Sequence, residues 1–183
     1  MTNEIKKYKV NINNFLEKHK KIIMLLFLII LFCYYLIWTV SQPYDSCPDE
    51  YMKWDICKYM FENNKLPRGD DPSIRNPIWG ISYAFQPIFT YMISTIFMKI
   101  ASIFTMKQFS LVVAARLVST ISMTIAIYFV IKIADKLFKN QTIYKMLFVG
   151  LIAFQPITAF LASYINNDST AVLATTMIIY LWI

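Results

Sequence analysis

Residues 22–40 read IIMLLFLIILFCYYLIWTV, nineteen consecutive positions without a charge. As a helix this run reaches about 29 Å, enough to cross a hydrocarbon core of roughly 30 Å. It is longer than the apolar region of a signal peptide, and no small-residue cleavage site follows it. It reads as a retained transmembrane anchor. Six lysines precede it (Lys6, Lys7, Lys9, Lys18, Lys20 and Lys21), the positive-inside signal that places the N-terminus in the cytoplasm. The whole chain agrees: of 183 residues, 57% are hydrophobic and 16% charged, and the mean hydropathy is +0.48. A soluble domain carries about a quarter charged residues. The net charge of +7 is met by lipid headgroups. No nucleic-acid-binding motif accompanies it, so nucleic acid is not expected as a partner.

Working outward, residues 41–84 contain Pro43, Pro48, Pro67, Pro72 and Pro77 and do not span. Residues 109–131, FSLVVAARLVSTISMTIAIYFVI, are long enough to span and carry Arg116. Residues 146–165, MLFVGLIAFQPITAFLASYI, span with Pro156 inside. Residues 169–183 look like the start of a fourth span, about 22 Å long. Residues 85–106 are apolar but interrupted by Pro87 and Lys99. If they cross, Lys132, Lys136, Lys139 and Lys145 fall outside, against the positive-inside rule. If they lie on the outer surface or dip and return, these lysines are cytoplasmic. The second arrangement is favoured, although hydropathy alone reads 85–106 as a span.

The plan is therefore an all-α polytopic membrane protein. It has a basic cytoplasmic N-terminus at 1–21, transmembrane helix 1 at 22–40, and a large outer loop at 41–108 with juxtamembrane helices. Transmembrane helix 2 lies at 109–131, a basic cytoplasmic loop at 132–145, and helix 3 at 146–165. A short outer loop at 166–168 leads to a truncated helix 4 at 169–183, and the chain reads as the N-terminal part of a longer protein. Within the outer loop, Tyr51–Phe61 has the spacing of an amphipathic helix on the membrane plane, with Met52, Ile56, Tyr59 and Met60 on one face. Asp49 or Ser46 is placed to cap it. Cys47 and Cys57 share that loop, where oxidation to a disulfide is open to them.

Four charged residues stand out. Asp49 and Glu50 form an adjacent pair just after the first span, and Asp168 follows the third with almost no gap. Each has a plain reading as a helix cap. Arg116 lies on the helical rise about 10 Å below the outer end of the second span. A guanidinium at that depth costs about 2.5–3.5 kcal/mol unless an anion offsets it. On the favoured topology all four sit on the outer side. A carboxylate that activates a hydroxyl and a cation that holds a phosphate suit transfer from a lipid-linked donor.

The order of four short motifs resembles the GT-C superfamily of polytopic membrane glycosyltransferases, particularly its family 39 and protein O-mannosyltransferase-like members. They are PDE at Pro48–Glu50, YAFQPIFTYMIS at Tyr83–Ser94, AARLVST at Ala114–Thr120 and YINNDS at Tyr164–Ser169. The resemblance implies a GT-C-like helical fold in the cell membrane, with its active site on the outer face. It implies a polyprenyl-phosphate sugar donor and a glycan, lipid or protein acceptor. It also implies Asp49 as catalytic base with Glu50 beside it, Asp168 as a second catalytic acid, and Arg116 on the donor phosphate. The lone Asp168 in place of a paired D-x-D argues against a Mg²⁺ or Mn²⁺ cofactor, which wants two or more carboxylates. The alternatives are a transporter or flippase for lipid-linked sugars, and a non-catalytic membrane assembly subunit whose acids only cap helices.

Overall fold

The computed structural model describes residues 18–139 and 141–183. The basic segment expected at 1–21 lies outside the described residues as far as residue 17, and so does Asn140. Among the described residues the chain is all-helical, without a strand. In order these are α1 (Lys20–Ser41), α2 (Glu50–Asn63), α3 (Phe89–Ser102), α4 (Gln108–Leu137), α5 (Thr142–Ala153), α6 (Pro156–Ala162) and α7 (Asp168–Trp182). Two 3-10 turns, Pro72–Ile74 and Tyr83–Phe85, separate α2 from α3.

Among the described residues two helices are long and apolar enough to cross a membrane, α1 with 22 residues and α4 with 30. Helices α5 and α6 qualify only as a pair, bent by 54°. The bend has a local cause. Pro156 has no N–H, so the Ile152 carbonyl loses its helical donor. Thr158 Oγ1 donates to Ile152 O at 2.8 Å, and Tyr35 on α1 donates to Ala153 O at 2.7 Å. A break in apolar surroundings persists when side chains take the freed carbonyls in this way.

Helix α4 is the common neighbour of α1, α3, α5, α6 and α7, and contacts along it define two levels. Near its C-terminus Asp135 pairs with Lys20 of α1 at 3.0 Å and Lys145 of α5 at 3.1 Å. There Lys136 also donates to Tyr180 O of α7 at 3.0 Å. About 22 Å along the helix, the Thr120 hydroxyl lies 2.8 Å from that of Thr39 on α1 and 3.0 Å from Ala162 O at the end of α6. The bent pair α5–α6 thus connects the same two levels as α1 does. Above the threonine level the first turns of α4 project about 18 Å further, and α3 lies against them, with Ser94 Oγ donating to Ala115 O at 3.0 Å.

The interior divides at that level. Below it Leu31, Tyr35, Met123, Ile127, Val130 and Val149 pack together. Above it Trp54, Ile56, Met60, Tyr91, Met98, Leu111 and Ile165 form a second core. The outward side of α1 exposes Ile22, Leu25, Leu26, Ile29, Ile30 and Ile37, a face suited to hydrocarbon rather than water.

Several expectations change in detail. The segment 85–106 holds only the 14 residues of α3, about 21 Å of helix against a core of roughly 30 Å. The second apolar helix runs past 131 to Leu137. The segment 146–165 is two helices rather than one. Helix α2 does not rest on the membrane plane by a single face: Met52, Lys53, Trp54, Ile56, Cys57 and Met60 are all buried, and the helix packs on α3. Cys47 and Cys57 are both buried free thiols with no disulfide between them; Cys57 donates to Tyr91 O at 3.8 Å.

Candidate functional site

Arg116 is among the most deeply buried side chains, 1% exposed, and Glu50 is 0% exposed. The guanidinium has five N–H donors, and every one is taken. Nε and Nη2 grip the two oxygens of Glu50, each at 2.7 Å. Nη1 donates to Thr39 O at 3.0 Å and Gln42 O at 2.7 Å, and Nη2 to Pro43 O at 3.1 Å. Those carbonyls belong to the end of α1 and the turn after it, where the helix leaves acceptors without intrahelical donors. A cation there also complements the negative end of the helix dipole. Arg116 therefore sits level with the end of α1, inside protein, rather than deep in lipid.

Glu50 is used just as completely. Besides Arg116, its Oε1 accepts from Ile165 N at 3.2 Å and its Oε2 from Asp45 N at 3.2 Å. One ion pair thus ties α1, α2, α4 and the α6–α7 connection together. Of the four expected site residues, Glu50 and Arg116 are fully engaged with the chain itself, and neither has a hydrogen-bonding group left over for a substrate.

Asp49 and Asp168 are placed differently. Asp49 occupies the N-cap position of α2, but in left-handed backbone (φ 56°) and without a capping bond. Aspartate is one of the few residues that tolerates this region. Asp45, also left-handed at φ 61°, instead accepts from Tyr51 N at 3.4 Å. Asp49 is thereby turned away from its own helix and accepts from Tyr83 Oη at 2.6 Å. At the start of α7, Asn166 does the capping: its Oδ1 accepts from Ser169 N at 2.8 Å. Asp168 is left exposed in the first turn, where its charge is favoured by the helix dipole.

Within electrostatic reach of both carboxylates is a lysine that the apolar pattern of α2 hides. Lys53 is 7% exposed, and its Nζ donates to Pro48 O at 2.9 Å. The ammonium stands 5.6 Å from the Tyr83 ring centroid and 5.0 Å from that of Tyr164, within cation–π range. Burial pulls its pKa below the ordinary lysine value, while the charges of Asp168, Asp49 and Glu50 pull it back up. Tyr83 is pushed up to about 12 by burial and by its bond to Asp49, and Tyr164 to about 12 by burial and the Asp168 charge. Both phenols are neutral donors at physiological pH. The available signal for Lys53 was its place one helical turn after Asp49 and Glu50, on the same side; the apolar pattern of α2 set it aside.

The junction of α3 with α7 is also polar. Thr90 bonds Thr170 at 3.0 Å and Asn167 donates to Pro87 O at 3.0 Å. Three buried atoms near it, Tyr91 Oη, Asn167 Oδ1 and Ser169 Oγ, have no hydrogen-bond partner among the described residues. Such groups are costly when dry and suit ordered water. A divalent cation suits the site poorly, because Asp49 and Asp168 share their surroundings with the Lys53 ammonium. No family model, curated protein or solved structure matches the chain.

Proposed function

We propose that this chain carries the acceptor- and phosphate-handling corner of a membrane glycosyltransferase. A sugar would move from a polyprenyl-phosphate donor to a hydroxyl acceptor at the outer face of the cell membrane. In this arrangement the lysine-rich end of the bundle faces the cytoplasm, and α2, α3 and the start of α7 face outward. The observation that carries the reading is that Asp49 and Asp168 lie at helix starts yet neither caps its helix. Both carboxylates instead act electrostatically on Lys53.

Each group then has one task. Asp49 takes the proton of the acceptor hydroxyl as its oxygen attacks the sugar's anomeric carbon. Tyr83 holds that carboxylate in place. The bond from the anomeric carbon to the lipid phosphate oxygen breaks, and the phosphate leaves with the electron pair. Lys53 offsets the charge it gains: among the described residues only one of its three N–H donors is taken, by Pro48 O. Asp168, exposed in the first turn of α7, holds sugar or acceptor hydroxyls. Phosphate binding thus passes from Arg116, whose donors are all engaged, to Lys53.

The test is sugar transfer from a polyprenyl-phosphate donor by the intact protein in proteoliposomes. Asp49→Asn should lower the rate by about 10²–10⁴-fold, the range of general-base catalysis. Undiminished transfer by that variant would remove the assignment. A second reading, transport of a lipid-linked sugar, draws on the broken pair α5–α6, since transporters use interrupted helices to hold substrates. Here the two carbonyls at the break are taken by Thr158 and Tyr35. Translocated donor without covalent product would favour transport.

A further inference from the structure

At the lysine-rich end, away from the acidic corner, α1, α4 and α5 line a partly open cavity of about 400 Å³. Its walls include Ile23 and Phe27 of α1, Ile131 of α4, and Val149 and Gly150 of α5. Its polar lining is concentrated in Lys20, Asp135 and Lys145, the shared ion pair at 3.0 and 3.1 Å. One carboxylate between two ammonium groups leaves a net positive rim. We propose that this cavity is a binding site for an anionic phospholipid, its acyl chain against the apolar walls and its phosphate on Lys20 and Lys145.

Its polarity chooses this occupant. The cavity is partly open, so a flexible hydrocarbon chain can lie along it. An apolar body with a cationic rim at one end has the polarity of an amphiphile. Basic pockets between transmembrane helices on the cytoplasmic side favour anionic headgroups. Gly150 keeps the wall open: a Cβ built there meets nothing within 4 Å. Each lysine has three donors and, among the described residues, uses one on Asp135, leaving donors for phosphate oxygens.

The experiment is native mass spectrometry of the purified chain, titrated with phosphatidylglycerol and with phosphatidylcholine of identical acyl chains. Phosphatidylglycerol is expected to bind more tightly. Lys20→Gln and Lys145→Gln should each weaken it about fivefold, the effect of one lysine near an anionic headgroup. Gly150→Leu, which fills the cavity without touching the lysines, should reduce binding of both lipids. A phosphatidylglycerol with a photoactivatable acyl chain should label the stretch from Met146 to Phe154. Equal binding of the two lipids, or unchanged binding after Gly150→Leu, overturns the proposal. So does a protein–protein cross-link from Gly150→Cys in place of lipid labelling, which would assign the cavity to another segment or a second copy.

Discussion

Glu50→Gln separates a structural ion pair from a catalytic one. The substitution keeps the shape but removes the charge, and it turns one acceptor oxygen into an N–H donor. The new amide then faces either Arg116 and Ile165 N, or Arg116 and Asp45 N, all of them donors. Arg116, 1% exposed, becomes a buried cation without its anion. Removing one partner of a buried pair costs about 3–5 kcal/mol, and total stability is typically about 5–15 kcal/mol. The variant should therefore lose a large fraction of its stability whether or not substrate is present. Unfolding in mixed micelles with increasing denaturing detergent, followed by tryptophan fluorescence, measures this. The double variant Glu50→Leu/Arg116→Met should recover part of the loss, because the unpaired charge disappears. It should not recover all of it: Thr39 O and Gln42 O lose the Arg116 donor, and Ile165 N and Asp45 N lose the Glu50 acceptor, at about 1–3 kcal/mol for each group left dry. A loss below about 1 kcal/mol for Glu50→Gln, the scale of an exposed ion pair, would refute the argument. A protein of full stability that had lost only phosphate affinity would return Arg116 to the substrate.

Three further outcomes follow from the same structure. Lys53 has a folded pKa below its unfolded value near 10.4. Between the two, the unfolded chain binds more protons, so stability rises with pH. The cation that meets phosphate is lost over the same window, so donor affinity should fall on an alkaline limb below the ordinary lysine range. A pH series of transfer kinetics beside a pH series of unfolding checks the opposite signs, and Lys53→Met should abolish both trends. Tyr35→Phe leaves Ala153 O at the α5–α6 break without its 2.7 Å donor; it should cost about 1–2 kcal/mol in the same micelle assay, and an unchanged midpoint would mean that another group takes the carbonyl. Single cysteines at Lys107 and Lys139 in a cysteine-free background should label from opposite faces of the membrane; labelling from one face would reverse the proposed orientation.

Much of the helical plan was legible because hydropathy is local. The charge-free run at 22–40 needs no partner to favour a helix in lipid, and α1 forms over it. Pro156 marks a break for an equally local reason, its missing N–H. The position of charged residues beside apolar runs was visible too, and it brought Asp49, Glu50, Asp168 and Arg116 into view. What each one does was not visible. Glu50 and Arg116 lie 66 residues apart in sequence and meet in two bonds of 2.7 Å. Nothing in the pair Asp49–Glu50 says which carboxylate turns inward. The left-handed backbone at Asp49 makes that choice, since it starts α2 with Glu50 aimed at Arg116 and Asp49 at Tyr83. The depth of Arg116 depends on register: the helix that carries it extends beyond the end of α1, so counting from its first residue puts the guanidinium too low. Lys53 reads as a surface lysine until α2 packs and the rings of Tyr83 and Tyr164 close around it. The sequence by itself determined where the chain is apolar, where it breaks and which charges stand near the spans. Only the tertiary structure decided which of those charges neutralise one another and which stay open, because pairing depends on distances between residues that are remote along the chain.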